Sequence, residues 1–220
     1  MELVNKVKKM FRKDPILKRR VIGILVAHVI LALGVNFLRV SLFGNDPFSC
    51  MMLGFSSATG MSYGTMAILF NLVAIVPIFI LDRSFIQFGT LINMFIFPIL
   101  ADIEFACMIY LFPGLAHISL VPRIIFLIVG VVIACYGASL YMCTNLGMGP
   151  YDAIGWLVEK KTNKKIPFKY ARIGLDSIST ITGFIFGSIV NLGTFTMALG
   201  TGPLVVFFTE NIHKKLIYEK

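Results

Sequence analysis

Charge is scarce in this chain. Asp, Glu, Lys and Arg make up 14% of its 220 residues, against roughly 25% in a soluble domain, whose surface must face water. So few charges cannot coat a globule, and lipid is expected to cover most of the surface. Tryptophan occurs once and histidine three times. Of the four cysteines, Cys50, Cys107, Cys135 and Cys143, no two form a CxxC pair and three lie in apolar runs. Small packing residues are the expected reading. HExxH, a nucleophile elbow and a phosphate-cradling GxxxxGK are missing too. No enzyme, catalytic residue, cofactor or metal site is therefore expected. His28 stands alone in the first apolar run, as a packed or hydrogen-bonded histidine does.

What is present is hydrophobic: 57% of the residues, with a mean hydropathy of +0.86. The net charge of +9 invites a nucleic-acid reading, but eight of the 20 Lys and Arg fall in the first 20 residues. Most others sit in short tracts between apolar runs, which is how charges flank membrane spans, and no nucleic-acid partner is expected. The basic stretch from Lys6 to Arg20 precedes an apolar run longer than the core of a cleaved signal, so that run is expected to stay as a span.

A span needs about 20 apolar residues to cross roughly 30 Å of hydrocarbon. Six segments qualify: 21–43, 64–81, 87–111, 122–145, 170–190 and 192–211. Asp82, Arg83 and Ser84 separate the second from the third, and Asn191-Leu192-Gly193 reads as a tight turn between the last two. With the N-terminus inside, the inner segments hold 17 of the 20 basic residues. The outer segments hold none, and Arg39, Arg123 and Arg172 fall within helix ends. Basic-residue asymmetry thus predicts six spans with both termini in the cytoplasm.

The chain also matches itself at a register of about 103–105 residues. Gly34, Gly44 and Pro47 fall on Gly137, Gly147 and Pro150; Asn71 falls on Asp176; Gly89-Thr90 falls on Gly193-Thr194; and Pro98 falls on Pro203. Three spans per half is an odd number, so the second half enters from the opposite face. The expected fold is an all-α membrane protein of two inverted three-helix repeats, 21–111 and 122–211, with a basic cytoplasmic tail at 1–20 and a second tail at 212–220.

At these positions the sequence resembles the YczE/YyaS/YitT family of uncharacterised bacterial membrane proteins. The resemblance is carried by Asn145-Leu146-Gly147-Met148-Gly149-Pro150-Tyr151-Asp152, by Gly89-Thr90-Leu91-Ile92-Asn93 with Asp102, by Arg172 with Asp176, and by Gly193-Thr194 with Gly202-Pro203. The first half departs from the pattern, with Ser49 where the second copy has Asp152. The resemblance implies a transporter-like protein of the bacterial cytoplasmic membrane and names no substrate.

Ionisable groups at membrane depth are costly and mark interior sites. Asp176 and Arg172 are spaced for an i,i+4 ion pair on one helix face, either as a functional site or as a pair reaching the cytoplasmic interface. Asp102, with Asn93 on the same span, is the second candidate; Glu104, two residues on, points elsewhere. Gly200-Thr201-Gly202-Pro203 and Pro98 interrupt the sixth and third spans, and such paired interruptions point to a midplane solute site; a glycine-lined packing seam is the alternative. Thr201, Gly202, Pro203, Pro98 and Asp152 complete the candidate ligand-binding set. Gly-x-x-Pro before Phe48–Gly54 and Tyr151–Val158 predicts two short helices. They either dip into the membrane or lie flat, the flat reading suiting Trp156 with its lysine run.

The expected function is a small secondary transporter or channel-like carrier of an unidentified small solute, working in the bilayer and compatible with a homodimer. Two other readings are the membrane-embedded substrate-binding subunit of a larger importer, and an accessory or sensor protein docking a cytoplasmic partner on the basic 159–172 loop.

Overall fold

The computed structural model describes residues 15–218. The basic tail over 1–14, and Lys220, lie outside the described residues. The chain forms α1 (Pro15–Ser41), α2 (Pro47–Thr59) and α3 (Tyr63–Leu81). A 3-10 turn (Arg83–Phe85) leads to α4, Phe88–Leu111. Next come α5 (Leu120–Cys143), α6 (Pro150–Lys161), α7 (Phe168–Ile185) and α8 (Leu192–Phe208). A π-turn (Thr209–His213) and α9 (Lys214–Tyr218) complete it. Among the described residues there is no strand.

Four helices are long and apolar enough to cross a membrane: α1, α3, α4 and α5. A fifth is gained if α8 and its continuation, bent by 50° between Leu192–Ala198 and Gly200–Tyr218, count as one span. The helix expected at 170–190, α7, fails that test. Its 18 residues carry Lys169, Arg172 and Asp176, too many charges for a lipid-facing rod. Val73, Ile80, Ile128 and Ile181 are each more than half exposed. Such a surface fits an integral membrane protein, where lipid replaces water around apolar side chains.

Two boundaries differ from expectation. The first helix begins at Pro15 rather than Val21, because Pro fits a first helical turn and Ile16-Leu17 are themselves helix-compatible. The turn expected at 191–193 begins at Phe186, where Gly187 adopts φ 90°, and Asn191 instead caps α8, its Oδ1 accepting the Leu192 N–H at 2.8 Å.

Several glycine and proline positions that match between the two halves take equivalent places in the fold. α1 and α5 cross backbone to backbone at Gly34 and Gly137. A Cβ at Gly34 would lie 2.4 Å from Ala134 N, and one at Gly137 would lie 2.6 Å from Leu31 N. Gly44 and Gly147 turn the chain back after α1 and α5, with φ 97° and 114°, a region that costs an L side chain dearly. Pro47 and Pro150 then start α2 and α6. The Gly89 N–H donates to Leu146 O and the Gly193 N–H to Phe43 O, both at 2.7 Å, so the start of α4 clasps one turn and the start of α8 the other.

Packing follows the same scheme: α1 lies on α5 and α4, α5 on α8, α2 along α7, and α6 along α3 and α7. Met51, Met52, Tyr63, Met66, Phe97 and Tyr151 form the main buried cluster, which brings α2, α3, α4 and α6 together.

Candidate functional site

α7 is covered along its length by the two short helices. Over its first half lies α6, whose last turn is fixed at the start of α7. The Glu159 carboxylate accepts the Phe168 N–H, and Trp156 stacks on Phe168 at 4.4 Å and 18°. From there α6 runs back along α7 so that its first turn reaches Asp176, about 12 Å along a helix rising 1.5 Å per residue. It packs along both α3 and α7. Over the second half lies α2. A Cβ on Gly54 would sit 2.6 Å from Gly183 O and one on Gly183 2.5 Å from Cys50 O, and Phe55 packs edge-on to Phe186. The first turns of α2 and α6 therefore converge near Asp176: the rings of Phe48 and Tyr151 are 5.1 Å apart, and Phe70 of α3 packs against both.

Polar groups collect at that junction. The Tyr151 hydroxyl donates to Asp176 Oδ1 at 2.7 Å and lies 3.1 Å from Ser179 Oγ. Arg172 Nε is 3.1 Å from the Asp176 carboxylate. Its Nη1 pairs with Asp152 on α6, and its guanidinium stands 4.8 Å over the Tyr151 ring. One arginine thus joins a carboxylate of its own helix to one of α6. From α2, Asp46 accepts the Ser49 N–H at 3.0 Å as an N-cap and lies within Coulombic reach of Arg172 and Asp176. Ser49 Oγ is 3.1 Å from the buried Tyr63 hydroxyl. Two carboxylates, Asp152 and Asp176, share one guanidinium, and Asp152 lies in the first turn of α6, where the partial positive charge of a helix N-terminus favours an anionic group.

Of the sequence-predicted residues, Arg172, Asp176 and Asp152 come together here. Asn93 belongs to a separate group: its Nδ2 is 3.4 Å from His28 Nε2, and a Cβ on Gly149 would meet its Oδ1. His28 Nδ1 sits 2.7 Å from Ile24 O, with its ring edge-on to Tyr141 and Phe97, which is the packed histidine expected. Asp102 accepts the Gly64 N–H at 3.0 Å and so secures the first turn of α3. Pro98 is fully buried in α4, next to the π-turn Ile92–Ile96 that its missing N–H favours. Gly202 and Pro203 are exposed on α8, and Thr201 Oγ1 bonds its own helix at Met197 O, 2.5 Å away. Because α4 packs on α1 and α3 while α8 packs on α5, the two proline interruptions are not brought together.

Sequence reasoning missed Tyr151, Asp46 and Ser179 as members of the site. A signal existed for Tyr151 and Asp46, which flank the prolines that start α6 and α2. No group of three or more potential metal ligands occurs among the described residues.

Among the known proteins that the chain resembles, one is named as a membrane protein. The chain is 27% identical to an uncharacterised protein of Haemophilus influenzae, over 90% of this chain and 87% of that one. It is 24% identical to the uncharacterised membrane protein YczE of Bacillus subtilis, over 81% and 80% of the two chains. Against the uncharacterised protein YyaS of the same organism it is 26% identical, over 83% and 89%. No solved structure matches it. The resemblance carried by the glycine, proline and aspartate segments is thus borne out. Residues 18–210 match the family of unknown function DUF6198, and the chain belongs to that family.

Proposed function

We propose that this protein is a multi-pass carrier of the bacterial cytoplasmic membrane. In this reading it moves a small solute through the junction where the first turns of α2 and α6 meet. The observation that carries it is that junction: two short helices start at Asp46, Tyr151 and Asp152, against Arg172 and Asp176, in a bundle whose long helices α1, α3, α4 and α5 are apolar. Charge at membrane depth is retained where it handles an ion, a proton or a polar solute. Half-helices whose N-termini meet at mid-depth are a recurrent way to build such a site.

Six crossing segments in two inverted three-helix repeats, N-in and C-in, complete the proposal. It is supported by the exchange of partners between halves: α2 along α7 against α6 along α3, and α4 on α1 against α8 on α5. The equivalent glycine and proline positions support it further. In this reading α7 crosses despite its charges, because α2 and α6 shield its polar face. Arg172 is the coupling element. Its bond to Asp152 ties α6 to α7, and a proton or cation taken up by Asp176 changes the charge that Arg172 must balance. Lipid and a small solute are the proposed partners; neither an enzymatic step nor nucleic acid enters the reading.

Proteoliposomes with an entrapped pH-sensitive dye and an imposed membrane potential test it. The wild type is expected to pass protons or a co-transported small solute faster than protein-free vesicles, and Asp176→Asn to abolish the difference. Unchanged flux in that variant would remove Asp176 from the mechanism. Wild-type flux equal to protein-free vesicles across the solute panel would overturn the carrier reading.

A further inference from the structure

Two arginines sit at the ends of α1 and α5 opposite the basic tail, and they are used differently. Arg123, in the first turn of α5, donates from Nε to Ser41 O at 2.9 Å and so closes the last turn of α1. Arg39, in the last turn of α1, forms no ion pair among the described residues. Its guanidinium lies over the Phe105 ring at 3.5 Å. Asp102 is within Coulombic reach but is engaged with the Gly64 N–H. The carbonyl end of α1 and the aromatic face stabilise the cation in part, and they leave the planar fork of donors without an acceptor.

Arg39 also lines a cavity of about 170 Å³ between the end of α1, the turn after it, α2 and the link from α7 to α8. Arg39 is the one charged residue in its wall; Asn45 and Ser188 are polar, and Leu38 and Leu53 are apolar. Asn45 is 2% exposed, and its Oδ1 has no hydrogen-bond partner, a costly state for a buried amide. The volume is far above the ~10–15 Å³ that one water needs and below the ~300 Å³ at which drug-sized pockets begin. It suits a ligand of a few heavy atoms with some water. The cation selects for negative charge on oxygen, which guanidinium binds in a bidentate way, and the orphaned Asn45 Oδ1, an acceptor, selects for a ligand that also carries an O–H.

We propose that this cavity binds a small oxyanion of the phosphate class that carries a hydroxyl, with Arg39 as its anchor, Ser188 donating to it and Asn45 Oδ1 accepting its O–H. The oxyanion is either a free solute or the phosphate of a phospholipid headgroup. The assignment concerns binding alone and stands apart from the carrier reading.

Thermal unfolding of the purified full chain in a nonionic detergent tests it. Sodium phosphate, sodium acetate and a short-chain phosphatidylglycerol are each titrated against sodium chloride at equal ionic strength. A saturable rise in Tm of about 4 °C is expected at tenfold excess over Kd. Arg39→Gln should abolish the rise and Arg39→Lys should keep a reduced one. Asn45→Asp, which leaves Arg39 in place and sets a carboxylate against the ligand, should weaken binding at least tenfold; this variant decides the matter if Arg39→Gln does not fold. A rise with phosphate assigns a free solute, and a rise with phosphatidylglycerol alone assigns the lipid headgroup; a rise with acetate, which has no O–H, as large as that with phosphate would overturn the role of Asn45. No rise with any of the three would overturn the proposal, as would an undiminished rise in both Arg39→Gln and Asn45→Asp.

Discussion

α3 and α7 hold the same pair of short helices and are built in opposite ways. α3 is an apolar rod of 19 residues with a mean hydropathy of 2.4, and it grips α6 through side chains, Ile78 against Ala153 and Leu157. α7 is polar along one face, with Arg172, Asp176 and Ser179, and it meets α2 backbone to backbone at Gly183. The short helices need two supports, but only α7 supplies charge at their first turns. Apolar packing on α3 tolerates small shifts. The polar side on α7 does not, because a carboxylate displaced by an ångström loses its partner while remaining desolvated.

The largest effect is expected where α7 has no slack. Gly183→Leu places a Cβ within 2.5 Å of Cys50 O, and a neighbouring backbone cannot give way as a side-chain tip can. A loss of about 3 kcal/mol is expected from such overpacking, seen as a fall in Tm on the order of 10 °C for a chain of this length. The matched change on α3, Ile78→Ala, removes side-chain contacts and should cost about 2 kcal/mol. If Ile78→Ala proves the more damaging, the contrast between a backbone seam and a side-chain seam fails.

Next comes the charge itself. Arg172→Gln leaves Asp152 and Asp176 near each other with no cation between them. The three side chains are 25–32% exposed, so the full penalty of a buried broken pair is discounted, to about 2 kcal/mol. Adding Asp176→Asn should recover part of it, and a double-mutant cycle on Tm reads the coupling. Purely additive losses would mean that Arg172 serves packing rather than charge balance.

How far this arrangement could be read from the sequence follows from the range of each interaction. α1, α3, α4 and α5 are legible as apolar runs, and Arg172 with Asp176 is legible because i and i+4 share a helix face. The starts of α2 and α6 follow from Gly-x-x-Pro. Asp152 was singled out by resemblance, but its bond to Arg172 spans 20 residues and two helices, and no local pattern encodes it. The meeting of Phe48 with Tyr151 is likewise a product of how α2 and α6 lie on α7. The Gly200–Pro203 segment misleads for a related reason. A proline and two glycines signal weakened helix hydrogen bonding, which α8 absorbs as a bend while Gly202 and Pro203 face outward.

A smaller effect is expected at Tyr151, the residue through which α6 reads α7. Tyr151→Phe keeps the ring between Phe48 and Phe70 and removes only the hydroxyl that donates to Asp176. About 1 kcal/mol of stability should be lost, together with a fall in proteoliposome flux if Asp176 is the working carboxylate. Phe70→Leu, the corresponding probe on the α3 side, should lower stability without changing flux.

The smallest effect lies where α6 ends, because its last turn is tied to both supports: Glu159 to the start of α7, and Lys160 to Asp82 at the end of α3. Hydrogen bonds from Lys160 and from Ser84 hold the Asp82 carboxyl down, from an ordinary value of 3.8 to about 2. A carboxylate with a depressed folded-state pKa contributes stability that is complete above the unfolded value and is lost as pH falls through the folded one. The α3 tie should therefore be intact above about pH 4 and gone near pH 2. Asp82 is 12% exposed but its partner Lys160 is 60% exposed, so the contribution is small and salt-sensitive. Measured between pH 5 and pH 2, the Tm of the wild type should exceed that of Asp82→Asn slightly at the upper end and converge with it at the lower. Lys160→Ala should shift that convergence to higher pH, towards 3.8. A gap that persists at pH 2 would place the stabilisation in the Asp82 cap of the 3-10 turn, and α6 would then be fixed at its C-terminal end by α7 alone.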